Sequence, residues 1–285
     1  MTARPDEGKH VPDHPIGIHH VEIGVGDLDR SLDFYQGLLG LQRAEVPEPP
    51  GVRWLSAGSA LLKLVETVSG DLGGWINDDL QRGIRHVGFT VGDVDLQADR
   101  IRDAGIPFTL PPLDAVGGVR LAFFQDPDGT HLEIIDKHLQ YHKVSSPELA
   151  DRERAAAEAR PRTAGPSFGH VAVTVDDLDA TLAFYRDTLG YQVIGQISQN
   201  QDPRGFLLTY LQAGESVLEV FTFTAPTTPS PWAPEANRHG FRHIAIAVDD
   251  VDKARARLVA AGARETVDGL LVDADGIPLR PVDGR

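Results

Sequence analysis

The chain has 285 residues, no cysteine and a formal net charge of −15. That length suits two domains with cores of their own, and the acidic balance argues against nucleic acid or an anionic membrane as partner. Without cysteine there is no disulfide, thiolate nucleophile or Cys-ligated zinc, so a metal could be held only by His, Asp and Glu. The opening stretch MTARPDEGKHVPDHPIG is polar, and no segment reaches the roughly 20 apolar residues of a membrane span. The expectation is a cytoplasmic protein acting on a small molecule.

After an N-terminal arm (1–15), HHVEIGVGDLDRSLDFYQGLLG alternates as a strand and then takes helical spacing. His20 and Glu22 share one face of the strand, and Val21, Ile23 and Val25 share the other. Asp27 stands at a helix N-cap, Leu28, Leu32, Tyr35 and Leu39 form a stripe, and Gly40 suits the terminator. VRWLSAGSALLKLVET then reads as two strands turning at residues 57–59. The unit recurs as RHVGFTVGDVD from residue 85, GHVAVTVDDLD from 169 and RHIAIAVDDVD from 242. In every copy a His (His20, His86, His170, His243) precedes an Asp by seven residues (Asp27, Asp93, Asp177, Asp250). Four modules of β-α-β-β-β are expected, giving an α+β fold. Residues 143–166 differ: Ser146 and Pro147 suit a helix start and Pro161 its end, so a helical linker separates a first half (16–142) from a second (167–285).

The motifs HVxxxVxDLDxxxxFYxxxLG and DPDGxxLE resemble the vicinal oxygen chelate superfamily, over roughly residues 16–138 and 167–285. That resemblance implies two tandem domains in which βαβββ modules pair into incompletely closed eight-stranded barrels. A divalent metal (Fe, Mn, Co, Ni or Zn) would be held inside, on first and last strands of the modules. Taking consecutive modules as partners, the ligand positions of the first half match His20, His86 and Glu133, with Lys63 at the remaining one. Those of the second half match His170, Glu219 and His243, with Arg280 at the remaining one. The first half, whose closing Asp-Pro-Asp-Gly hairpin is complete, is expected to be catalytic, and the second, with its shorter last hairpin, degenerate.

By strand parity the first cup should hold His20, Glu22, Lys63, His86, His131 and Glu133, a costly polar interior unless paired or ligated. Glu22, Lys63 and His131 are the catalytic candidates, Lys63 having an internal salt bridge to Glu22 or Glu133 as its alternative role. The resemblance implies proton transfer through an enolate, as in epimerisation, isomerisation or lyase chemistry. An extradiol-type Fe(II) dioxygenase and a non-catalytic drug-binding protein are the alternatives. Glyoxalase I chemistry is disfavoured at this point because Lys63 replaces a carboxylate. The sequence leaves open whether modules pair within one chain or exchange in a homodimer.

Overall fold

The computed structural model describes residues 17–67, 70–234 and 238–284, so the N-terminal arm lies outside the described residues. Each opening strand (Gly17–Val25, Gly83–Thr90, Ser167–Thr174, Gly240–Val248) runs parallel to the last strand of its own module (Leu61–Glu66, His131–Asp136, Ser216–Thr222, Pro278–Asp283). In all four copies the Asp seven residues after the His accepts a hydrogen bond from the backbone N–H three residues on, as an N-cap does. Gly40 ends the first helical segment at φ 78°, the left-handed conformation open to glycine. The first helix is not one regular stripe. Leu28–Leu32 is α-helical, and residues 33–38 widen into i→i+5 turns, with Leu39 N–H donating to the Phe34 carbonyl. The wider turn buries Phe34 and Tyr35 together, which a regular stripe through Leu32 does not. Ala183–Thr188 repeats the device around Phe184 and Tyr185.

Consecutive modules are not each other's sheet partners. The opening strand of module one pairs antiparallel with that of module four, and module two with module three. One sheet of eight strands therefore joins modules one and four, and another of nine joins modules two and three. Neither closes on itself, since each runs from one edge strand to another. The reason lies on the convex faces. Tyr35 of module one donates to Asp126 of module two (2.9 Å), and Tyr185 of module three to Asp273 of module four (2.8 Å). The repeated Phe-Tyr therefore docks on the Asp-Pro-Asp-Gly or Asp-Ala-Asp-Gly turn of the following module. Consecutive modules thus stand back to back around one apolar core that includes Val21, Tyr35, Val87, Val173 and Ile246. Their opening strands are left to pair across the halves.

The linker packs onto this frame. Lys143–Val144 adds an edge strand beside Gln192–Gln199, and the helix Pro147–Ala159 follows Ser146, with Glu153 accepting from the Tyr141 hydroxyl at 2.6 Å. Among the described residues no helix is long and apolar enough to cross a membrane.

Candidate metal centre

Pairing module two with module three brings four ligand-position side chains together. His86 and His170 come from the two opening strands, Glu133 and Glu219 from the two last strands. The parallel registers match: Glu133 stands beside Gly88 and Glu219 beside Ala172, each two residues past the module's His. Nε2 of His86 lies 3.0 Å from Nε2 of His170 and 3.5 Å from an oxygen of each glutamate. Nε2 of His170 lies 2.9 Å from Glu133 Oε2 and 3.2 Å from Glu219 Oε2. All four residues are buried.

His86, His170 and Glu219 each offer a ligand atom within 4.8 Å of the others, a set that fits a divalent ion, and Glu133 stands against both imidazoles. Donors that share one ion at about 2.1 Å stand about 3.0–3.4 Å from each other, and the distances above bracket that range. Glu133 Oε2 is buried without a well-directed hydrogen bond, a polar atom whose partner a metal would be. The backbone also makes room. A Cβ at Gly88 would stand 2.0 Å from Cε1 of His170, so only glycine admits that ring. Without a metal, protons balance the carboxylates. Burial alone would depress His170, but Glu219 and Glu133 outweigh it and raise its pKa to about 10. His86 is raised for the same reason, with burial again opposed by the two glutamates. Against the cost of their own burial, the histidines hold Glu133 and Glu219 below the usual carboxylate range.

Two cavities reach this centre. One of about 620 Å³ touches His86, Glu133 and Glu219 and is walled largely by apolar groups such as Leu113, Leu121, Phe123 and Leu208. His131 lies on its wall, stacked on Phe123 at 4.9 Å, with Thr109 Oγ1 3.0 Å from its Nε2. Burial, then the charges of His86 and Arg85, depress His131 to about 3, so it is neutral at pH 7. The other cavity, about 560 Å³, touches His170 and Glu219 and carries Lys137, Arg152 and Arg160.

His20, Glu22, Lys63 and His243 lie in the other cup, between modules one and four, so the expected first cup is divided between two sheets. His20, Glu22 and His243 do converge, each offering a ligand atom within 4.8 Å of the others. Their surroundings oppose a cation. Glu22 accepts Lys63 Nζ and Arg242 Nε, each at 2.8 Å. Lys63 thus makes one of the two salt bridges expected of it, away from His131 and Glu133. Burial first, then neighbouring charges including Lys63, depress His20 to about 2 and His243 to about 3. Trp54 covers this side, 4.7 Å from the His20 ring. The ligand positions expected within each half are therefore separated: the cluster of His86, Glu133, His170 and Glu219 draws one His and one Glu from each half, because the sheets pair across the halves.

Sequence reasoning also missed Gly88, whose signal was a glycine in the interior of a strand, and Arg242, which precedes His243 as Arg85 precedes His86.

Comparison with known proteins agrees with this architecture. Residues 17–134 and 167–268 match the Glyoxalase/Bleomycin resistance protein/Dioxygenase superfamily. The chain is 26% identical over 243 residues to the lactoylglutathione lyase GLX1 of Arabidopsis thaliana, covering 82% of this chain and 74% of the relative. It is 34% identical over 98 residues to an ethylmalonyl-CoA/methylmalonyl-CoA epimerase of Cereibacter sphaeroides, covering 34% of this chain and 72% of the relative. Glyoxalase I from Zea mays shares the fold at a TM-score of 0.65 with 21% identity, over 94% of this chain and 92% of that one. On its sequence match and its paired βαβββ modules, the chain belongs to the Glyoxalase/Bleomycin resistance protein/Dioxygenase superfamily.

Proposed function

We propose that the protein is a metal-dependent enzyme that moves a proton between adjacent carbons of a substrate carrying two neighbouring oxygens, in the manner of a lactoylglutathione lyase. The observation that carries this reading is the buried cluster in which the Nε2 atoms of His86 and His170 lie 3.0 Å apart and each lies 2.9–3.5 Å from an oxygen of Glu133 and of Glu219. The earlier objection to glyoxalase chemistry falls, because Lys63 belongs to the other cup. His86, His170 and Glu219, with Glu133 beside them, would hold a divalent ion, which when bound would supply the Lewis acidity that makes a C–H next to a substrate carbonyl acidic.

The chain's own groups then divide the work. Glu219 is braced on its neighbouring strand by Tyr210, whose hydroxyl is pushed well above its ordinary pKa by burial and then by that carboxylate. Glu133 lacks such a brace and its Oε2 has no well-directed partner, so it is the carboxylate suited to take the carbon-bound proton and return it to the neighbouring carbon. His131, neutral and on the cavity wall, is the second proton-handling group. The apolar cavity suits the carbon skeleton of a 2-oxoaldehyde, and the cavity with Lys137, Arg152 and Arg160 suits a thiol carrier bearing carboxylates. The dioxygenase alternative remains the second reading, because His86, His170 and Glu219 converge as two imidazoles and one carboxylate.

Protein loaded with Ni, Co or Zn and given methylglyoxal with glutathione should form the thioester product. In D₂O the product should acquire deuterium at the carbon that receives the proton, to the extent that Glu133 exchanges with solvent. A loaded protein that forms no thioester and exchanges no carbon-bound proton in any 2-oxo or acyl-thioester substrate would overturn the reading.

A further inference from the structure

The cup between modules one and four repeats the ligand register of the metal centre with its charges inverted. Lys63 stands beside Glu22 as Glu219 stands beside Ala172, and Arg280 beside Ala245 as Glu133 beside Gly88. His20 and His243 occupy the imidazole places. Two cations therefore replace two carboxylates at equivalent positions.

We propose that this second cup is an anion site that takes one small carboxylate against Arg280. Glu22 answers Lys63 and Arg242, each at 2.8 Å, and so spends its two oxygens on them. Arg280 is half-buried and has no ion pair or hydrogen bond with any described residue. Nε2 of His20 and Nε2 of His243 are both buried without a partner, and His243 lines the same cavity as Arg280. That cavity is about 40 Å³ and also touches Glu22, Trp232, Arg238 and Arg242. Since about 10–15 Å³ holds one water, the space admits a carboxylate of one or two carbons and little more. Arg238 donates to the backbone oxygens of Leu72 (2.9 Å) and Gly73 (3.2 Å). Asp268 is the other acid on the cavity wall among the described residues, and its Oδ1 accepts from the Thr266 hydroxyl at 2.5 Å. Among the described residues the wall carries Arg238, Arg242 and Arg280 against Glu22 and Asp268. A planar guanidinium without a partner, beside an imidazole with a free nitrogen, is the donor set that carboxylates select.

The test titrates sodium acetate, and separately inorganic phosphate, into the full-length metal-loaded protein at constant ionic strength, following heat of binding and unfolding temperature. Acetate should bind saturably at one site per chain and raise the unfolding temperature. Arg280→Gln should weaken acetate at least about tenfold while metal content stays at its wild-type value, and Arg280→Lys should retain part of the affinity. Unsaturable acetate binding, equal affinity in Arg280→Gln, or phosphate bound more tightly than acetate would each overturn the proposal. So would a second metal equivalent at His20 and His243. If Arg280→Gln fails to fold, crystals of the wild type grown with acetate decide: planar density against the Arg280 guanidinium supports the site, and an empty cup overturns it.

Discussion

Gly88→Ala tests the metal centre without touching a ligand. The added Cβ would lie 2.0 Å from Cε1, 2.3 Å from Nε2 and 2.6 Å from Nδ1 of the His170 ring, all well inside contact distance. The ring cannot stay where it is. Because His170 is buried against Glu133 and Glu219, the shift takes its Nε2 away from His86 and from both glutamates. The expected cost has two parts. Overpacking costs about 1–3 kcal/mol of stability in the metal-free protein. Displacing a ligand should exceed the 10–100-fold loss typical of an outer-shell change, so metal affinity should fall by more than about 100-fold. Competition against a fluorescent chelator measures the second, and denaturant unfolding of chelator-stripped protein measures the first. Wild-type metal affinity in a folded Gly88→Ala protein would refute the role given to His170.

Three other outcomes follow from the same geometry. Glu133→Gln should lower turnover about 100-fold or more with a smaller effect on bound metal, the scale of a lost general base, whereas equal turnover in a metal-loaded variant would remove Glu133 from proton transfer. Tyr35→Phe should cost about 1.5–3 kcal/mol, since it strips a buried donor from Asp126, and Tyr185→Phe should match it through Asp273; urea midpoints unchanged in both would contradict the docking of consecutive modules. His20, His131 and His243 have pKa values depressed to about 2, 3 and 3 from 6.5, so the unfolded chain takes up protons first as pH falls. Their contribution is complete above pH 6.5 and is lost on acidification towards pH 3. The metal-free protein should weaken by up to about 4 kcal/mol per pH unit below about pH 6, and a flat unfolding free energy from pH 7 to 5 would contradict three buried neutral imidazoles.

The modules were legible because their signals are local. The spacing of His20 and Asp27 places a strand face and a helix cap within one segment, and the four repeats fix the unit. Partner choice was not legible, because it depends on contacts such as Tyr35 with Asp126, 91 residues apart, which no local periodicity encodes. Consequently Lys63 was grouped with the glutamate-bearing cup and Glu219 with His243. Parity placed His131 beside Glu133 correctly, since both lie on one strand. Salt bridging by Lys63 was one of its two expected roles, whereas Arg242 on Glu22 required the antiparallel pairing of Glu22 with His243.

Metal content of purified protein, measured by mass spectrometry on the wild type and on His170→Ala and His243→Ala, tests the central claim most directly. The pairing of modules two and three predicts one equivalent per chain in the wild type, loss of that metal in His170→Ala, and an unchanged equivalent in His243→Ala. Retention of metal in His170→Ala, or its loss in His243→Ala, would contradict a single centre built from His86, Glu133, His170 and Glu219.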